Sequence, residues 1–426
     1  MMLVVNTKIK AGALQFAILI SVVIAVILSA FILISYSHLQ FAKQLERSSN
    51  TIKLSHDGIG YAKQKPIAYG DSISINLEEG IQEEVIIFKT HWGIFDKVVS
   101  IGKSKNFKTQ KIALLGGQTS EEERPTIFLE DTNSPLVVVG ETSIYGDVSL
   151  PRQGIKPGNI AGNYYQGKTL VNGKINQNNA AKPQLSNKKK EYIKTLLFGN
   201  LPQEDSLFIR SFASEISSTF KTAPKWMYSP DVIEIDDQSI SQNIIVKSDT
   251  LIRVSAFAKA ENIILIAPYI EIADNARGAF QAFASKSITV GKNARLTYPS
   301  ALVFQEKENQ LQTSNRELRR GITLEEGSIV SGSVIHLENP NDNYQKALIT
   351  IKENAMVQGE VYSDHIVQLE GVVKGSIYTR QFAIETKGSI YKNHLFDAVI
   401  DTRDFPVAFC GIETNQTQTN LVQWVY

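Results

Sequence analysis

The chain has 426 residues with 44 basic against 43 acidic side chains, a balance that sets up no broad field toward nucleic acid or an anionic surface and gives nucleic-acid binding no support. A single cysteine, Cys410, excludes an internal disulfide framework. The length leaves ample chain for two or three domains of the usual ~100–200 residues.

The stretch from Ala11 to Ile34 is almost unbroken apolar sequence, interrupted by Gln15, Ser21 and Ser29. At about 1.5 Å per residue it is long enough to cross a hydrocarbon core of about 30 Å, and it exceeds the ~7–15 apolar residues of a cleaved secretory signal. Lys8 and Lys10 precede the span while Lys43, Arg47 and Lys53 follow it, so charge alone does not set its orientation. A short basic tail, one span and a large polar chain have the layout of a signal anchor. The bulk is therefore expected outside the cytoplasm, at a bacterial inner membrane, with the lipid bilayer as partner through residues 11–34.

Beyond the span, Tyr36, Leu39, Ala42 and Leu45 recur at helical spacing and predict a stalk helix over 35–62. Period-two alternation then takes over at Ser72–Leu77, Glu84–Phe88, Lys97–Ile101 and Gln110–Leu115, which reads as a small antiparallel β-domain. Further short strands at Pro135–Gly140, Ser143–Val148 and Val171–Ile175 are punctuated by Gly154, Pro157, Gly158, Gly162 and Gly167. A polar hinge from Asn176 to Lys190 overlaps the start of a helix predicted over Lys188 to Phe198, which Gly199-Asn-Leu-Pro202 would end.

The C-terminal half carries a repeat. Ile270-Glu-Ile-Ala-Asp-Asn-Ala276 recurs eighteen residues on as Ile288-Thr-Val-Gly-Lys-Asn-Ala294 and again as Ile349-Thr-Ile-Lys-Glu-Asn-Ala355. Met356-Val-Gln-Gly-Glu-Val-Tyr362 and Val372-Val-Lys-Gly-Ser-Ile-Tyr378 form a second set sixteen residues apart. I-x-I strands with Asn or Gly corners at this period are what one coil of a parallel β-helix requires, since a coil cannot bury its inward aliphatics alone. The expected fold is mainly β: a tail or leader at 1–12, a transmembrane helix at 13–34, a stalk helix at 35–62, a β-domain at 63–175, a linker with helix at 176–237, a right-handed parallel β-helix at 238–400 and a cap at 401–426. The charged stretch Gln305 to Arg320 is expected to loop out of one coil.

Lys10-Ala-Gly12-Ala-Leu-Gln-Phe-Ala-Ile-Leu-Ile resembles the leader of type IV pilins and of the pseudopilins of type II secretion. The resemblance implies cleavage between Gly12 and Ala13 by a prepilin peptidase and an apolar helix that packs into a filament. Ala17 stands at the fifth mature position, where most members carry Glu; the minor, tip-located subunits are the ones that can lack it. Trp92-Gly-Ile-Phe-Asp-Lys-Val-Val-Ser-Ile-Gly-Lys-Ser, followed by Lys111–Leu115, looks like a segment of the β-part of minor pilins. The Gly-punctuated coils from Ile329 to Tyr391 resemble bactofilins, which form polymers. Asp71-Ser-Ile, Asp205-Ser-Leu and Asp249-Thr-Leu resemble O-glycosylation acceptors of exported Bacteroidota proteins.

The six histidines, His38, His56, His91, His336, His365 and His394, form no H-x-H or H-E-x-x-H pattern, and the chain has neither a G-x-S-x-G elbow nor a phosphate-binding loop. No catalytic residue, metal or cofactor is expected. Asp236, Asp237, Glu271, Asp274 and Arg277 would be the candidates if the coils cleaved a polysaccharide, a reaction that needs paired carboxylates at a set separation. Solvated corners are the simpler reading. The sequence therefore predicts a non-enzymatic, membrane-anchored structural protein, a minor pseudopilin-like subunit of a type II secretion or pilus-like machine. Other envelope or secretion-machine proteins are its expected partners, in either a homo- or a hetero-oligomer. The alternatives are a membrane-tethered bactofilin-like polymerising scaffold and a carbohydrate-binding or carbohydrate-cleaving β-helix.

Overall fold

The computed structural model describes residues 11–76, 83–178, 182–204, 208, 213–307, 320–337, 346–386 and 388–426. The described residues are mainly β, with 50% strand and 17% helix. Residues 308–319, most of the expected excursion, and 205–207, the second glycosylation-like motif, lie outside the described residues, as do Lys8 and Lys10. The chain divides into two compact units. One comprises Met1–Gly60, Ile73–Ile87 and Ser100–Lys111; the other comprises Tyr61–Ser72, Phe88–Val99 and Ile112–Tyr426.

In the first unit the expected span and stalk are one continuous helix, α1, Ala11–Gln64. No proline interrupts it and its apolar half consists of good helix formers and stiff aliphatics. Its far end packs on strand residues: Thr51, Leu54, Ser55 and Ile59 are buried, as are Val85 and Ile87. The approach is close enough to demand glycine on both sides. A Cβ at Gly58 would overlap Ser100 and Val85, and one at Gly102 would overlap the Thr51 carbonyl and Leu54. Thr51 and Thr109 share a hydroxyl hydrogen bond of 2.7 Å at the same contact.

Four strands, β1 (Ser72–Asn76), β2 (Glu83–Trp92), β3 (Phe95–Ser104) and β4 (Phe107–Gln118), form a sheet in sequential order. Its fifth strand is the last in the chain, Gln418–Trp424, antiparallel to β4. The C-terminal residues expected to cap the coil stack thus extend this sheet instead.

The second unit is built on the parallel β-helix, and the I-x-I phase holds. Ile235, Val254, Ile272, Val290, Leu324, Ile351 and Leu369 are successive partners in one column, each buried. Asn275, Asn293 and Asn354 have φ of 62°, 56° and 60°, so the recurring Asn-Ala corner has a cause. Asn tolerates the left-handed turn, and Ala276, Ala294 and Ala355 are small enough to point into the core. At another corner Gly332, Gly359 and Gly375 stack in register with φ between 142° and 157°. There a Cβ would strike the carbonyl of the coil before.

The expected domain boundaries are corrected at both ends of this stack. Strands within residues 127–177, assigned to a β-domain and the start of a linker, belong to the stack. Ile377–Thr379 pairs in parallel with Ile127–Leu129, which is followed in the stack by Val148 and Ile175. The far end starts at Glu215–Ser217 and Lys225–Ser229, inside the expected linker and before 238. Stack order is therefore a circular permutation of chain order: the first coils are laid down at one end, the chain crosses to the other, and later coils wind back to meet them.

One wall is apolar on both sides. Val246, Leu265, Ala282, Leu302, Val334 and Val361 point into the stack, while their neighbours Ile245, Ile264, Ile266, Phe283, Val303 and Ile335 form a second core with Trp92, Ile94 and Phe95. Burial on both faces explains these runs of consecutive aliphatics. Helix α2, Asn187–Phe198, adds Ile193, Leu196 and Leu197 to that core. It starts where the Ser186 hydroxyl accepts the Lys189 N–H at 3.2 Å, and it ends at Gly199, where its sequence predicts.

Val290→Asp buries a carboxylate with no partner in the column and should cost about 3 kcal/mol or more. Lys292→Asp, two residues on, turns an exposed 3.3 Å pair with Glu326 into a solvent-screened like-charge contact and should cost less than about 1 kcal/mol. Chemical denaturation of the two variants beside the parent checks this. Equal losses would mean that the inward phase is misassigned.

Candidate functional site

Gly12 and Ala13 sit in the first turn of α1, exposed, with open space around Gly12. The helix is long and apolar enough to cross a membrane. Every large apolar side chain from Leu14 to Ile34 is exposed, from 43% at Ile20 to 69% at Phe31 and Leu33. A bare surface of this extent in water would be strongly unfavourable, at roughly 25 cal/mol per Å². Two of the three polar interruptions are satisfied within the helix: the Ser21 hydroxyl donates to the Ala17 carbonyl and that of Ser29 to Ala25, both at 2.8 Å.

Several coil-corner charges are engaged in pairs and backbone contacts. Arg253 bridges Glu234 at 3.1 Å and Glu271 at 2.9 Å on adjacent rungs. Asp274 accepts the Lys292 backbone N–H at 2.7 Å. Glu271 and Asp274 do line one shallow cleft, together with Lys292, Glu325 and Lys352, whereas Asp236, Asp237 and Arg277 are exposed elsewhere on the coils. Asp71 is exposed too, and Asp249 accepts the Tyr228 hydroxyl at 2.6 Å. Among the described residues no three His, Cys, Asp or Glu side chains could hold a metal. Burial pushes His336 down to about 3, so it is neutral in the wall.

Two polar centres had no signature in the sequence. The first is Asp96, on β3. Its carboxylate receives Lys189 of α2 at 2.5 Å and Lys89 of β2 at 2.8 Å, and the Tyr69 hydroxyl donates to it at 3.0 Å. His91 stacks between Tyr69 and Tyr192, at 3.7 and 4.2 Å between ring centroids. Burial alone would raise the Asp96 pKa, but the Lys189 charge, the His91 hydrogen bond and the Lys89 charge outweigh it and hold the group well below the carboxylate range. Lys189 is fully buried. An unpaired ion in such a place costs roughly 3–5 kcal/mol, so Asp96 fixes α2 onto the hairpin. Nearby, Gln281 grips the hairpin turn itself: its carbonyl oxygen accepts the Ile94 N–H at 2.8 Å, and its amide donates to the Trp92 carbonyl at 3.2 Å.

The second is Glu360, half-buried on the coil wall at the edge of a cleft of about 300 Å³ lined by Tyr362, Tyr378, Thr119 and Glu123. Its carboxylate accepts the Ser333 hydroxyl at 2.8 Å and the Ile412 backbone N–H at 2.5 Å. It thereby ties the C-terminal segment to the β-helix. Burial pushes its pKa up to about 7, against the opposing hydrogen bonds and the Arg124 charge. The cleft thus holds a carboxyl that changes charge near neutrality.

No family model matches the chain, and no curated protein matches it. Among solved structures it is similar to the competence-associated pilin ComZ from Thermus thermophilus, with a TM-score of 0.25 and 10% identity, over 89% of this chain and 97% of that one.

Because the folded pKa of Glu360 lies above its ordinary 4.5, its contribution to stability is complete below about pH 4.5 and is lost as pH rises through about 7. Glu360→Gln keeps an acceptor oxygen for Ser333 and Ile412 and cannot ionise. Its thermal midpoint relative to the parent should therefore rise by at least ~2 °C between pH 5 and pH 8. A difference that is flat with pH would show that Glu360 does not titrate in that window.

Proposed function

We propose that the chain is a non-enzymatic, single-span envelope protein that assembles through α1 as a minor pseudopilin-like subunit of a type II secretion or pilus-like machine. The supporting observation is the division of labour along one unbroken helix. Its first half is bare and apolar, and its second half is clasped by strand residues through Gly58 and Gly102. In this reading the bare half lies in the bilayer of the inner membrane and packs laterally against neighbouring subunits. The β-helix is the rigid surface presented to partners on the periplasmic or extracellular side. Ser21 and Ser29 fit that placement, because their hydroxyls are satisfied within the helix and expose no unpaired donor to lipid.

A second reading, a tethered scaffold that polymerises end to end, draws on the strand Ile175–Gln177. Among the described residues it pairs on one side only, with Val148–Leu150.

The two readings separate at the N-terminus. Pseudopilin-like processing produces a mature chain beginning at Ala13, and Gly12→Glu blocks it. Mass spectrometry of the native protein should find that N-terminus and should find the uncut form in the variant. A native chain still carrying Lys10 would contradict the pseudopilin-like reading and leave α1 an ordinary signal anchor.

A further inference from the structure

The coil wall carries a second, larger cleft, of about 720 Å³, within the roughly 300–1,000 Å³ of small-molecule sites. One side of it is a polar ladder. Ser331, Gln358, Lys374 and Asp401 are register partners on four successive coils, so a hydrogen-bonding side chain recurs about every 4.8 Å. Ser331 donates to the Gln358 carbonyl oxygen at 3.0 Å, and the Gln358 amide is left with the weak acceptor Met356 sulfur at 3.4 Å. The other side is aromatic. Phe405 and Phe409 lie 4.8 Å apart between centroids, and Tyr298 lies 5.6 Å from Phe409. All three rings are only half-buried. The Tyr298 hydroxyl is already committed to the Cys410 carbonyl at 3.0 Å, so this ring offers its apolar body.

Half-exposed rings facing an evenly spaced row of donors and acceptors match one ligand chemistry well. A pyranose sugar has an apolar C–H face that stacks on aromatic rings and a rim of hydroxyls, and linked sugars repeat that pattern along a line. An apolar peptide would leave the ladder unpaired, at a cost for each desolvated group. The charges narrow the class further. Asp401 and Asp404 line the cleft beside Lys374, with Arg403 paired to Asp401 at 2.6 Å and Arg124 over one side of the Phe405 ring at 4.8 Å, so charges of both signs meet there and no uniform positive field selects a polyanionic chain. We propose that this cleft binds a linear, uncharged oligosaccharide, plain or N-acetylated, with its rings on Phe405 and Phe409 and its hydroxyl or acetamido groups on Gln358 and Lys374. The proposal does not depend on which machine α1 assembles into.

The test is calorimetric titration of the full chain in detergent micelles with tetra-N-acetylchitotetraose, cellotetraose and a short apolar peptide. One of the two tetrasaccharides should bind saturably. Gln358→Ala, at an exposed position, and Phe405→Ala should each weaken it at least tenfold, with Phe405→Tyr restoring binding and Lys292→Ala, on another face, leaving it unchanged. Absence of binding by either sugar at millimolar concentration would overturn the proposal. So would sugar binding that survives both Gln358→Ala and Phe405→Ala, or binding of the peptide alone.

Discussion

The parallel ladder between Ile127–Leu129 and Ile377–Thr379 is the contact on which the rest of the second unit depends. A β-helix coil has no core of its own and is stable only between neighbours. The coils at 127–177 meet the long array through this pairing, joined by Val399–Asp401 with Ser143–Tyr145 and by His394–Phe396 with Val137–Val139. The core then runs without a break from Met227 through Leu265, Val334 and Ile377 to Ile127 and Val148. Because the partners are some 250 residues apart in sequence, closure pays its loop entropy late, which places this contact among the slower steps of folding.

The same winding gives the wall its two uses. Where its outer side chains are aliphatic, the wall is covered: Gln281, Asp96 and Lys189 set the hairpin and α2 on it with directional bonds, and the aliphatics supply area. Where the outer side chains are polar, it is left open, and the C-terminal segment from Thr402 to Thr417 crosses it on a few anchors, among them Glu360 to Ile412 and Tyr298 to Cys410. Both clefts lie beside that segment. The crossing segment thus supplies one side of each of these two clefts.

Periodic features were legible in the sequence and closed contacts were not. The apolar run Ala11–Ile34, the I-x-I phase and the Asn-Ala corners each repeat a local physical requirement, so each shows in one stretch of residues. Helix α2 was readable from its own stretch too, because Gly199-Asn-Leu-Pro202 marks its end. The coils at 127–177 were assigned to another domain because their short strands, cut by Gly154, Pro157 and Gly158, show no regular period and their partners arrive only at 377. The buried centres followed the same rule. Asp96 is an unremarkable charge in an alternating strand until Lys189, 93 residues away, closes on it. Glu360 sits in the second repeat, where its outward phase alone reads as solvated.

The central claim, that 127–177 and the long array form one stack, is tested most directly by native-state hydrogen exchange on the detergent-solubilised full chain. The Ile377 amide donates to the Thr126 carbonyl at 3.0 Å and the Glu130 amide to the Thr379 carbonyl at 3.1 Å. One cooperative stack predicts that both exchange with the same opening free energy as coil-interior amides such as Val290 and Leu302. Exchange throughout 127–177 at a distinctly lower opening free energy than in 240–370 would show that the two are separate folding units and would contradict the permuted stack.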